Sequence, residues 1–197
     1  MPEVPSSPTR VVIAEDEAII RLDLKELLQE EGYDVVGETG RGDEAIELVR
    51  THRPDLVILD IKMPGLDGLS AARQIAGERL AAVLMVTAFS QRELVEQARD
   101  AGALAYLVKP FQKSDLIPAI EVAIGRFAEL TSLEREVEDL QGRLEARKTI
   151  DRAKGKLMDD HGMAEQDAWR FLQQSAMTNR VRIDEVAAQV LDGVLAP

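Results

Sequence analysis

Five short apolar runs recur through the first 109 residues, each separated from the next by a stretch of helical spacing. They are "VVIA" (11–14), "DVVGE" (34–38), "LVILD" (56–60), "AVLMVTA" (82–88) and "AYLVK" (105–109). No other feature of the chain limits its folding as much. Runs this short and this apolar suit strands buried on both faces. In "AIIRLDLKELLQEEG", Ile20, Leu24, Leu27 and Leu28 share a helical face and Gly32 stops the helix. "DEAIELVRTHRP" repeats the pattern with Ile46 and Val49 and stops before Pro54. "RELVEQARDAGA" ends on Gly102. Alternation of this kind predicts a parallel sheet with helices on both faces.

The predicted fold class is α/β and flavodoxin-like: a five-stranded parallel sheet of order 2-1-3-4-5. In that order the first and third strands are neighbours, and ligands sit beyond the carboxyl ends of the strands. Glu15 and Asp16 close the first strand and Asp60 closes the third. Three carboxylates meeting there repel and raise one another's pKa values. An oxygen-only set suits a hard divalent cation, with magnesium the first choice. Thr87 ends the fourth strand and Lys109 the fifth, which brings a hydroxyl and an ammonium to the same rim. Lys109 precedes Pro110; a cis bond there, the minority state of X–Pro bonds, would aim the lysine inward. Taken singly, each residue has a plainer reading, as a cap, strand filler or a solvated cation. Together, at the ends of four strands, they point to phosphoryl transfer. Asp60 would be the nucleophile, the metal and Lys109 would neutralise phosphoryl oxygens, and Thr87 would hydrogen-bond one of them.

Composition removes several function classes. The 197 residues hold no cysteine, so disulfides, thiolate metal sites and cysteine nucleophiles are excluded. "MPEVPSSPTR" lacks the apolar core of a signal peptide. The longest apolar stretch, "AAVLMVTAF", falls far short of the ~20 residues of a membrane helix. A cytoplasmic protein with no membrane partner is expected. The net charge of -12 argues weakly against nucleic acid, yet Arg143–Lys156 holds six cations against two carboxylates.

"AEDE", "LVILDIKMPGLDG", "VLMVTA" and "AYLVKPF" resemble, in order and spacing, the receiver domain of two-component response regulators. The resemblance covers residues 10–125. It implies that Asp60 accepts a phosphoryl group from a sensor histidine kinase. It implies that Glu15, Asp16, Asp60 and the backbone carbonyl of Lys62 bind Mg2+, and that Thr87 and Tyr106 form a switch pair. Receivers often carry two aspartates where this chain has Glu15-Asp16. Lys62 and Phe89 would flank the acyl phosphate, with Phe89 obstructing attack by water. A hydrolase is disfavoured because the position two residues after Asp60 is Lys62, not an acid; no enzyme is expected.

Beyond residue 110 the chain reads as helix. Ser114 is the expected N-cap of the fifth helix, with Asp115 in its first turn and Pro118 in or next to that turn. Leu130, Leu133, Val137, Leu140 and Leu144 recur at spacings of three and four, and Arg147 breaks the next position. That is either a short coiled-coil seam or one face of a long helix packing on its own chain. Residues 126–146 form this helical linker. Ile150, Ala153 and Leu157 make a stripe that His161-Gly162 ends, Ala168, Phe171, Leu172 and Ala176 line a second helix, and Val186, Val190 and Leu191 line a third. Gly155 costs ~1 kcal/mol against alanine inside a helix, which implies that something approaches its backbone closely. No helix-turn-helix for DNA is evident.

"AKGKLM", then "AW..L...AM" and the "VA" of Val186-Ala187, resemble the ANTAR module, a three-helix RNA-binding unit, over residues 147–191, within an expected domain of residues 147–197. Ala164 stands where the module usually has a serine-like cap, and Gln173 replaces a usual arginine. The resemblance implies dimerisation on phosphorylation, binding to RNA stem-loops in nascent transcripts, and transcription antitermination. Arg147, Lys148, Arg152, Lys154 and Lys156 would meet phosphates, and Thr178, Asn179 and Arg180 would contact loops. Trp169 is either solvent-facing or core, and could stack on a base. The alternative is a response regulator whose helical tail binds a protein.

Overall fold

The structure, a computed structural model, describes residues 7–197. The signal-peptide reading rests partly on residues 1–6, which lie outside the described residues. Five strands alternate with helices: β1 (Arg10–Ala14), α1 (Ala18–Glu30), β2 (Asp34–Thr39), α2 (Gly42–His52), β3 (Leu56–Leu59), α3 (Gly68–Gly77), β4 (Ala82–Thr87), α4 (Arg92–Asp100) and β5 (Ala105–Val108). Three helices follow: α5 (Lys113–His161), α6 (Glu165–Asn179) and α7 (Ile183–Leu191). The sheet is parallel with order β2-β1-β3-β4-β5, as the alternation predicts.

β3 and β4 are buried along their whole length because helices cover both faces. Period-two alternation sends Val12, Val57, Leu59, Val83 and Met85 to one core, with Ala45, Val49, Ala71 and Ile75 from α2 and α3. Val11, Ile13, Leu56, Ile58, Leu84 and Val86 face the other, with Leu24 and Leu28 of α1 and Leu116, Ile120 and Ala123 of α5. The chain divides into two compact units, one through Ser132 and one over Leu133–Pro197. In the second unit, Ala153 and Leu157 of α5 meet Ala168, Leu172 and Ala176 of α6 and Val186, Ala187 and Val190 of α7. These are mostly small side chains, so the helices approach closely.

Three local expectations need correction. α5 begins at Lys113, so Ser114 lies inside the helix and is not its cap. The N–H of Gln112 instead donates to Asp115 Oδ2 at 2.9 Å, and the Gln112 carbonyl accepts from Leu116. Pro118 therefore sits one turn into the helix. At Gly155, a Cβ would meet nothing within 4 Å, so no part of the described chain presses on its backbone. Along the seam, the described residues leave the apolar row uncovered. Leu130, Leu133, Val137, Leu140 and Leu144 are each about half exposed.

Candidate functional site

β1 and β3 pair in register from Val11–Leu56 to Ala14–Leu59, so the residues that follow them leave the sheet side by side. Asp60 donates its backbone N–H to Ala14 O at 2.9 Å, and Glu15 donates its own to Thr39 O at 3.0 Å. Lys109 N–H reaches Thr87 O at 2.8 Å, which places the ends of β4 and β5 on the same rim. Carboxylate oxygens of Glu15, Asp16 and Asp60 lie within 4.8 Å of one another. The cluster read from strand order is therefore real geometry.

Its interior is buried. Glu15 is 1% exposed, Asp60 7% and Thr87 0%, whereas Asp16 is exposed. Buried carboxylates are costly unless a cation or hydrogen bonds compensate them. Lys109 is that cation: its Nζ donates to Glu15 Oε2 at 2.5 Å and lies 3.3 Å from Asp60 Oδ2. The Lys109–Pro110 bond is cis. Asp60 Oδ1 accepts from Ile61 N–H at 2.7 Å, and Glu15 Oε1 accepts from Glu17 N–H at 3.3 Å. Burial pushes the Glu15 carboxyl above the usual carboxylate range; the Lys109 hydrogen bond and charge pull it back, and the Asp60 charge pushes it up again. One ammonium among three carboxylates leaves negative charge over, and the donors are all oxygen. This set fits a hard divalent cation.

Thr87 is buried with a hydroxyl that has no hydrogen-bond partner among the described residues. Buried hydroxyls are normally satisfied, so this one marks where a ligand atom belongs. Tyr106 is half-buried, and its hydroxyl donates to Phe89 O at 2.6 Å. Burial and the Asp60 charge raise its pKa. Lys62 Nζ stands 4.3 Å from the centroid of the Phe89 ring, so the two expected flanking residues touch each other.

The basic segment is less uniform than its composition. Lys154 is largely covered and bridges Asp151 (2.9 Å) and Glu165 (3.0 Å), tying α5 to α6. Lys148 pairs with Glu145 at 2.7 Å and Lys156 with Asp160 at 2.7 Å. Arg147 and Arg152 are exposed and have no ion-pair partner among the described residues. Thr178, Asn179 and Arg180 are exposed at the end of α6, with Arg180 in the left-handed conformation at φ 54°. The structure thus brings the receiver residues to one rim of the sheet but spreads the candidate RNA contacts over two helices. Ala164 is the N-cap of α6 and makes no side-chain cap hydrogen bond.

Comparison with known proteins agrees with both halves. A family model described as response regulator receiver domain matches residues 11–121, and one described as ANTAR domain matches residues 138–191. The chain is 58% identical to the Transcriptional regulatory protein PdtaR of Mycobacterium tuberculosis (strain ATCC 25618 / H37Rv), covering 96% of this chain and 93% of that protein.

The chain belongs to the response regulator family.

Solved response regulator structures align with the sheet unit. The signal receiver domain of the putative response regulator NarL from Mycobacterium tuberculosis superposes with a TM-score of 0.58 at 30% identity, covering 60% of this chain and 98% of that one. A CheX-CheY-BeF3-Mg+2 complex from Borrelia burgdorferi gives 0.55 at 26% identity, covering 58% and 87%.

Three positions of this response regulator's site escape sequence reasoning. A Cβ on Gly68 would fall 1.8 Å from the Asp60 carbonyl oxygen, and one on Gly42 would fall 2.1 Å from Leu66 O. These glycines let α3 and α2 press directly on the loop that carries Asp60. The only available signal was a glycine right after Asp67, the N-cap, whose side chain accepts from Ser70 N–H at 2.7 Å. Arg21 is the third. From α1 its Nη1 donates to Glu15 O at 2.5 Å and holds the acidic turn; nothing in the sequence marks it.

Proposed function

We propose that the protein is a phosphorylation-switched transcription antiterminator that acts on RNA. A sensor histidine kinase donates a phosphoryl group to Asp60, and the ANTAR unit binds stem-loops in nascent transcripts. The observation that carries the first half is the orphan hydroxyl of Thr87 beside the Asp60–Lys109 pair. A phosphoryl oxygen on Asp60 supplies that hydroxyl with an acceptor and Lys109 with a new anion. Glu15, Asp16, Asp60 and the Lys62 carbonyl would hold Mg2+, which supplies positive charge against the phosphoryl oxygens; the Mg2+ in the Borrelia CheY complex supports this. The phosphoryl group carries about -1.5 to -2 where the carboxylate carried one charge, and its new acceptor oxygens draw Thr87 toward Asp60 and rebalance the Tyr106–Phe89 contact. Coupling of ~1–3 kcal/mol is typical of such switches, so the output is a biased equilibrium.

The protein turns over only its own phosphoryl group and is not an enzyme on other substrates. A cytoplasmic site of action fits a response regulator; no described helix is long and apolar enough to cross a membrane. The half-exposed row from Leu130 to Leu144 supports a homodimer formed on phosphorylation. Light scattering then sees a dimer with acetyl phosphate and Mg2+, and a monomer for Leu140→Lys under the same conditions.

Mass spectrometry after incubation with acetyl phosphate and Mg2+ should find one phosphoryl adduct on Asp60, absent in Asp60→Asn. A chain that takes no adduct there would sink the reading. The clamped state of Lys154, held between Asp151 and Glu165, favours a second reading, in which the tail binds a protein. Salt-sensitive binding to stem-loop RNA separates the two, since phosphate contacts weaken as counterions compete.

A further inference from the structure

We propose that the exposed face of α6, formed by Trp169, Gln173 and Met177 with Arg180 just past the helix end, reads the unpaired bases of the RNA loop. This rests on the RNA-binding reading of the ANTAR unit and assigns the residues that do the reading. Trp169, Gln173 and Met177 follow one another at intervals of four, so they lie along one side of the helix. The side toward the core belongs to Ala168, Leu172 and Ala176. Trp169 stays 40% exposed and Met177 74% exposed, whereas Leu157, Leu172, Val186 and Val190 of this unit's core are buried.

The chemistry of the row suits nucleobases. An indole offers a flat, polarizable face for stacking, which every base can use. Gln173 carries both a donor and an acceptor for base edges, and Arg180 carries several donors. The charge of the row suits a polyanion. Between Trp169 and Arg180 it holds no carboxylate, and Glu165, one turn before Trp169 on the same side, is ion-paired to Lys154. Arg180 has no ion-pair partner among the described residues, and its left-handed backbone at φ 54° fixes it at the helix end. On α5, by contrast, Lys154 is committed to Asp151 and Glu165 and serves as a clamp between helices. Phosphate contacts then fall to the unpaired Arg147 and Arg152, and base contacts to α6.

The test uses the full chain with acetyl phosphate and Mg2+ and two RNA probes. One is a hairpin selected from a pool with randomised loops. The other is the same stem closed by a non-nucleotide glycol linker. Trp169 is the single tryptophan of the chain, so its fluorescence reports on α6 alone. The loop hairpin should quench it, while the linker-closed stem should leave it unchanged and bind at least about tenfold more weakly. Trp169→Ala should lose about tenfold or more in affinity, Trp169→Phe should retain most of it, and Met177→Ala and Arg180→Asn should each lose several-fold. Asparagine tolerates the left-handed conformation, so the last change removes the guanidinium without straining the turn. Met177 is solvent-exposed, which guards the series against a folding artefact.

Hairpin binding with unmoved Trp169 fluorescence, or full affinity in Trp169→Ala and Arg180→Asn, overturns the assignment while leaving the RNA-binding reading in place. A pool that yields no binder overturns both. A fluorescence shift on adding a Trp169→Phe copy of the chain in place of RNA gives the face to self-association and also overturns it.

Discussion

The sheet unit and the three-helix unit treat polar groups in opposite ways. In the sheet unit Glu15, Asp60 and Thr87 are buried, and Lys109 is held between two carboxylates. In the helical unit no described charged side chain is buried, and most cations sit in exposed pairs with a neighbouring acid. Exposed pairs contribute roughly 0–1 kcal/mol, so they exchange partners readily. The difference suits the two tasks proposed for the units. Group transfer needs donors fixed in a dry site before the reaction begins. Contact with a polyanion needs charges that leave their present partners when a better one arrives.

That contrast makes predictions of graded size. The largest concerns Gly68. Its Cβ position is filled by the Asp60 carbonyl, so Gly68→Ala must displace the acceptor loop. A displacement of about an ångström costs on the order of 100-fold in rate. Intact-mass measurement of phosphorylation by acetyl phosphate should show that loss, while thermal melting followed at Trp169 stays where it was. A simultaneous fall in both would erase the distinction between the units.

A several-fold effect is expected at Phe89. Phe89→Ala removes the ring that Lys62 covers, and the phosphoryl group should be lost faster than from the wild type. Equal decay of the two proteins would show that the ring does not shield the site. Next comes the bare cap of α6. Ala164→Ser should stabilise the helical unit by ~1 kcal/mol, read as a higher urea midpoint in Trp169 fluorescence, with phosphorylation unaffected. The smallest effect on binding belongs to Lys154. Lys154→Gln should lower the melting temperature at Trp169 but leave the salt dependence of RNA binding unchanged. A slope smaller by about one would mean that Lys154 does touch a phosphate.

The same contrast governs what could be read in advance. Both the sheet order and the pocket were legible, because short apolar blocks fix strands and parallel strands all deliver their ends to one rim. Asp60, Lys109 and Thr87 needed only that rule. Gly68 and Gly42 were not legible as contacts, since a glycine announces permissiveness and not what approaches it. Gly155 shows the reverse: its presence in a helix suggested close packing, and the space beside it is open. The start of α5 was misplaced because Asp115 caps backward onto Gln112, a bond that a search for Ser or Thr caps passes over. Lys154 looked like its basic neighbours, since linear sequence does not reveal that Glu165 lies across from it.

The unsatisfied hydroxyl of Thr87 has a consequence for how the protein tolerates heat. A buried donor left without an acceptor costs about 1–3 kcal/mol, and no described residue supplies one to Thr87. Thr87→Val, with nearly the same shape, should therefore be the sturdier fold and the deaf one. On the proposed switch, stability of the unmodified form is traded for a better-satisfied phosphorylated one.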